Sequence, residues 1–148
     1  MKILICSQRE AIKYLPEDES YGIQIFSGYL KDRNKEKLME HPKWVYIAQY
    51  SFDDTYPGDP MEREGVYVLF NKKIAQNLLE EFMQHRKDSK TLLVHCGQGL
   101  NRSPAVAIAL NEIFKLGENT QKLIDVYEEM NGFVFNTLLE EARELRFY

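Results

Sequence analysis

Val94-His95-Cys96-Gly97-Gln98-Gly99-Leu100-Asn101-Arg102-Ser103-Pro104 is the stretch on which the reading of this chain turns. Before it, residues 91–95 (TLLVH) form a near-continuous apolar run, as expected of a strand buried on both faces. After it, Ser103 and Pro104 are expected to open a helix, Ser103 as N-cap and Pro104 at the first helical position. That helix, AVAIALNEIFKL, is apolar on nearly every side at its start, so it should be central, and Gly117 should end it. Gly97 and Gly99 permit backbone angles that a side chain would resist. A strand, a glycine loop and a helix in this order aim successive backbone N–H groups into one small bowl. Unsatisfied donors and the helix dipole then favour an anion there.

Working outward, short strand signals recur. Residues 3–5 are an apolar run, residues 22–27 (GIQIFS) alternate apolar with polar, and residues 44–50 (WVYIAQY) are β-branched and aromatic. Residues 66–70 read as extended or as a helix lead-in. Asn71 should cap a helix whose stripe of Ile74, Ala75, Leu78, Leu79 and Phe82 runs to about His85. Residues 30–41 are heavily charged and read as a solvated helix stopped by Pro42. Two more helices are expected over residues 121–130 and 136–145. Strands alternating with helices predict one α/β domain over residues 1–148. Its mostly parallel central sheet of about 4–5 strands is flanked by helices, with the anion-binding loop between a central strand and a helix. Residues 51–65 (SFDDTYPGDPMEREG) make a long loop, of the kind that is functional or mobile.

Composition limits the alternatives. The chain has 148 residues, 19 Lys+Arg against 23 Asp+Glu, 44% hydrophobic and 28% charged residues, which is an ordinary globular make-up. A net charge of −4 makes it a poor nonspecific ligand for nucleic acid. Its longest apolar run, residues 105–110, is far short of the roughly 20 residues needed to span a bilayer. The apolar start reads as a first strand and not as a signal peptide. Two cysteines, Cys6 and Cys96, are too few for a disulfide scaffold, so a reducing cytoplasmic setting is expected.

The loop carries a nucleophile. A thiol at the rim of such a bowl should be largely thiolate. Arg102, six positions on, returns its guanidinium over the bowl, where the fork matches two phosphoryl oxygens. The Ser103 hydroxyl can donate to the sulfur and make it a better leaving group. Residues 97–102 (Gly97, Gln98, Gly99, Leu100, Asn101 and Arg102) are the expected substrate-binding set, and no G-x4-G-K-[S/T] nucleotide loop occurs.

HCGQGLNRS resembles the signature loop of the cysteine-dependent protein tyrosine phosphatases, and the chain is most similar to their compact dual-specificity branch, over about residues 44–116. The resemblance implies that Cys96 attacks phosphorus, Arg102 binds the phosphoryl group, His95 supports the loop through hydrogen bonds, and no metal or other cofactor takes part. It implies a general acid upstream. Residues 44–50 followed by Ser51-Phe52-Asp53-Asp54-Thr55 match the family's strand and acid loop, which puts the acid on Asp54, with Asp53 the alternative and Asp59 third. Tyr56, Tyr67 and Phe70 flank that loop and are candidates for the pocket wall, though at least two of them are expected in the core. Asn136 loosely matches a late Pro-Asn stretch of the branch, and Asn101 is expected to tie the loop's backbone together. His41 and His85 read as surface residues. Cys6 reads as a plain buried cysteine, a protective disulfide with Cys96 being the other option.

The expected activity is hydrolysis of phosphotyrosine, with phosphoserine and phosphothreonine open, on a phosphorylated protein or peptide. The alternatives are an RNA 5′-triphosphatase, disfavoured by the acidic charge, a phosphoinositide phosphatase, disfavoured by the lack of lysine in residues 97–101, and a non-catalytic phosphate-recognition module.

Overall fold

The computed structural model describes residues 1–29 and 36–148. Four strands, β1 (Lys2–Ser7), β2 (Ser20–Phe26), β3 (Trp44–Ser51) and β4 (Thr91–Cys96), form one sheet in the order β1-β4-β2-β3. All three pairings are parallel. The carboxyl ends of the strands, at Ser7, Phe26, Ser51 and Cys96, therefore share one edge of the sheet. In open parallel sheets that edge is where ligands bind. The central strands β2 and β4 are buried along their whole length, β4 as its near-continuous apolar sequence requires and β2 in spite of its alternation, while β1 and β3 are the partly exposed edges.

Helices α3 (Lys72–His85), α4 (Arg102–Phe114) and α6 (Gly132–Glu144) cover one face, whose core runs from Leu92, Val94 and Cys96 to Leu78, Phe82 and Leu110. Tyr21 of β2 meets Phe82 edge-on at 4.9 Å between centroids. The opposite face is thinner. Ala11 of α1 (Gln8–Ala11), Leu38 and Leu93 form a small core with Leu4, Cys6, Tyr14, Trp44 and Ile47. Side chains alternate along a strand, and Cys6 is in register with His95 while Ser7 is in register with Cys96. Cys6 and Cys96 thus point to opposite faces, and both are free thiols. A disulfide between them is excluded by this geometry.

The structure corrects several expected boundaries. Asn71 does cap α3, its side chain accepting from the Ile74 N–H. However, α4 begins at Arg102, so Ser103 lies inside its first turn and is not the N-cap. The helix stops at Lys115, which adopts the left-handed cap conformation at φ 53°, before Gly117 is reached. Residues 51–65 contain a short helix, α2 (Pro60–Arg63), capped by Asp59. The last two helices start earlier than expected, α5 (Thr120–Val126) and α6 being capped by Asn119 and Asn131. Of the expected charged helix over residues 30–41, residues 30–35 lie outside the described residues, and residues 36–41 are not helical. The backbone N–H of Leu38 donates instead to the buried Gln24 side chain.

One contact locks the glycine loop to the neighbouring strand. Gly99 has φ +76°, and a Cβ there would lie 2.7 Å from both Cys6 C and Ser7 N. The loop can approach the end of β1 so closely only because no side chain intervenes. The Gln8 N–H completes the junction by donating to the Gly97 carbonyl at 3.1 Å. Gly99→Ala should therefore destabilise the fold by roughly 2 kcal/mol or more, combining an unfavourable φ with backbone overlap. Urea denaturation checks this; a midpoint equal to that of the parent would mean the junction is looser than described.

Candidate active site

Cys96 ends β4 and is 2% exposed. Its sulfur accepts the Gly99 N–H at 3.2 Å, and Ser103 Oγ lies 3.2 Å away, placed to donate once the thiol ionises. Burial alone would push this thiol up. The Ser103 hydroxyl, the Arg102 charge and the backbone amides of Ser103 and Gly99 outweigh burial and hold it below its ordinary value of 9.0. Ser103 reaches the sulfur because it sits within the first turn of α4, one residue after Arg102.

Arg102 donates from Nη1 to the Phe52 carbonyl at 2.8 Å, which joins the glycine loop to the strand end beyond β3. Its Nη2 lies 3.4 Å from the position a Cβ on Gly97 would take, so the guanidinium head rests over the loop as expected. His95 is fully buried and stands edge-on to Phe26. Burial drives it down to about 4, with the Cys96 backbone opposing that drop and the Arg102 charge adding to it. It is neutral near pH 7, and its Nε2 lies 3.4 Å from Gln24 Oε1. That contact ties its ring to β2.

A cavity of about 920 Å³ opens at this edge of the sheet. Gly97, Gln98 and Arg102 line it, facing Asp53, Asp54 and Tyr67. Not all of the expected binding set is in it. Gly99 serves the sulfur, Leu100 is exposed away from the lining, and the Asn101 side chain donates to the Glu129 carbonyl at 2.6 Å.

The two adjacent aspartates have different surroundings. Asp53 is buried and accepts from the Ser27 hydroxyl at 2.5 Å, the Tyr29 N–H at 3.0 Å and the Val68 N–H at 2.7 Å. Its own N–H donates to the Val68 carbonyl. It is a clamp that holds three backbone segments together. Asp54 is exposed at the cavity, and its Oδ1 accepts from Asn131 Nδ2 at 2.9 Å. Asp59 caps α2, accepts from the Thr55 hydroxyl, and is absent from the cavity lining.

Of the three candidate wall aromatics only Tyr67 lines the cavity. Phe70 is core, edge-on to Phe52, and Tyr56 is exposed elsewhere, so one of the three and not two is buried. His41 and His85 are half-buried, His85 being stacked on Tyr46 at 4.0 Å.

Sequence reasoning missed several residues. Asn131, and not Asn136, reaches the loops of the site. It caps α6 through its Oδ1, donates from Nδ2 to Asp54 and to the Thr55 carbonyl, and donates its N–H to the Asn101 carbonyl. The Asn-Gly pair before an apolar helical stripe was its only signal. Gln8, Arg9, Ser27 and Tyr29 also line the cavity. Nothing local marks them, because strand order alone brings them there. Among the described residues no group of three or more His, Cys, Asp or Glu is placed to hold a metal ion, and no helix is long and apolar enough to cross a membrane.

No protein-family model and no curated protein matches the chain. Among solved structures it is similar to the human tyrosine phosphatase-like serine/threonine/tyrosine-interacting protein, at 19% identity over 93% of this chain and 82% of that one, with a TM-score of 0.45.

Removing the Asp53 clamp leaves three donors without their acceptor. Asp53→Ala should cost on the order of 3 kcal/mol, and Asp54→Ala less than about 1 kcal/mol. Equal urea midpoints for the two variants would contradict the division of roles. Iodoacetate inactivation of Cys96, followed against pH, should rise through an apparent pKa below 9.0. Ser103→Ala should move that limb upward, since a group that stabilises the thiolate is lost.

Proposed function

We propose that the protein is a cysteine-dependent phosphatase that hydrolyses phosphotyrosine in proteins or peptides, with phosphoserine and phosphothreonine as further substrates. The observation that carries this reading is a buried sulfur held toward its thiolate by Ser103, Arg102 and the loop amides, within a glycine loop whose Gly97, Gln98 and Arg102 line a cavity together with Asp54. The sulfur attacks phosphorus in line as the P–O bond to the leaving group breaks. Asp54 gives its proton to the departing oxygen. Arg102 turns its fork to two equatorial oxygens, and the loop amides take up the developing charge. Water then attacks the cysteinyl phosphate, giving its proton to Asp54. The thiolate departs, assisted by the Ser103 hydroxyl, and inorganic phosphate is released.

Two features favour an aryl substrate and a catalytic role. The rings of Tyr29 and Tyr67 meet at 5.9 Å and both line the cavity, offering an apolar rim to an aromatic ring. Nucleophile, anion-binding arginine and acid are all present, which supports turnover over phosphate recognition alone. A thiolate nucleophile works in a reducing compartment, which is the ground for expecting the protein in the cytoplasm.

Cys96→Ser should lower the kcat for an aryl phosphate by at least about 10³-fold, and EDTA should leave the parent rate unchanged. Asp54→Asn should slow alkyl phosphates, whose leaving groups need the proton, about 10²-fold or more, and activated aryl phosphates much less. Steady-state kinetics over a leaving-group series reads both. Turnover that survives Cys96→Ser, or a leaving-group response at Asp53 and not at Asp54, would overturn the assignment.

A further inference from the structure

The mechanism uses one cation of the cavity, Arg102. A second lines the same cavity and has no part in it. Arg9 lies on α1, between Gln8 and Ile12, which are also in the lining. It is exposed and forms no ion pair among the described residues. The nearest carboxylate in sequence is Glu10, and that group is turned away. It accepts the Ser7 N–H at 3.0 Å and the Ser7 hydroxyl at 2.9 Å in a reciprocal cap. Among the described residues, the other carboxylates of the cavity are Glu36, Asp53 and Asp54. Asp53 is held by Ser27, Tyr29 and Val68, Asp54 is held by Asn131, and neither these nor Glu36 bridges to Arg9.

The backbone that carries Arg9 has a fixed position relative to the sulfur. Ser7 is in register with Cys96, Gly99 lies against the Cys6–Ser7 peptide, and Gln8 donates to Gly97. The base of α1 and the glycine loop are therefore one rigid junction. Arg9 and the loop residues Gly97, Gln98 and Arg102 line one cavity.

We propose that Arg9 is a specificity residue that reads a carboxylate side chain beside the phosphorylated residue, so that the site selects acidic phosphopeptides. This rests on the phosphatase reading of the same cavity and adds the substrate's second anionic group to it. The chain as a whole is acidic, at a net −4, so long-range attraction does not supply the preference. It has to come from a local, unneutralised cation.

The test uses binding, so that it does not depend on turnover. Peptides carrying a difluoromethylphosphonate analogue of phosphotyrosine are made with Glu, Ala or Lys at the flanking positions, and their Kd values are measured by calorimetry. The parent should bind the Glu peptide about 2- to 5-fold more tightly than the Ala peptide, and the Lys peptide more weakly still. Arg9→Ala should bring the Glu:Ala ratio to about one, and Arg9→Glu should reverse the order of the Glu and Lys peptides. Lys13→Ala is the control. Lys13 is exposed on the same segment but outside the cavity lining, so it removes one charge and should leave the ratio unchanged. A ratio that survives Arg9→Ala, or one that Lys13→Ala shifts equally, overturns the proposal while the phosphatase reading stands. Failure of the parent to bind any of the phosphonates overturns both.

Discussion

Favouring a thiolate at a sulfur shut away from water is the constraint from which the rest of the site follows. The Cys96 sulfur ends a fully buried strand, where desolvation opposes the thiolate more than any other single influence. Ionisation is favoured there only because several donors converge on one atom. The Gly99 amide requires a left-handed turn, the Ser103 hydroxyl requires the helix to have begun, and the Arg102 charge requires the loop to have come back over Gly97. These are three consequences of one backbone path. The late start expected for α4 would have spent the Ser103 side chain on the helix end. The observed start, two residues earlier, frees it for the sulfur.

Adjacent aspartates show how little the residue type decides. Asp53 and Asp54 are neighbours in sequence beyond the end of β3, where the Thr55 N–H donates to the Asp53 carbonyl at 3.0 Å and turns the chain. Both line the cavity, but one carboxylate turns inward, where three donors fix it, and the other is exposed and held by Asn131. The inward one has consequences for function all the same. By fastening Tyr29 and Val68 to the acid loop, it sets where the Tyr29 and Tyr67 rings stand. Gly28 belongs to the same arrangement, since a Cβ there would lie 2.4 Å from the Val68 side chain.

The local parts of this structure were legible in the sequence. The strand–glycine–helix order around Cys96, the apolar run of β4, the Asn71 cap and the stripe of α3 depend on residues close together in the chain, and all are in place. So is the parallel sheet, because alternating strands and helices leave few other solutions. What escaped was set by distance in sequence. Which aspartate is enclosed and which stays exposed depends on Val68 and Asn131, 15 and 77 positions away. The left-handed cap at Lys115 has no residue-type signal, glycine being the usual occupant. The short helices α1 and α2 have too few turns for a period to show.

Asn131 shows why such long-range residues matter to the chemistry. Its polar contacts join the N-terminus of α6, the loop at Asp54 and Thr55, and the glycine loop at Asn101. Asn101 in turn reaches the Glu129 carbonyl, so the segment before α6 is tied to the glycine loop at both ends. Cys96 and Asp54 belong to different strand ends, and the sheet alone fixes only the strands. The loops beyond them need a cross-brace, and one asparagine amide, with a donor and an acceptor on a single short side chain, supplies it. The brace contacts Asp54 through one oxygen of an exposed carboxylate, a partner that orients the group without enclosing it. Asp53, enclosed on three sides, has the opposite arrangement and the opposite task.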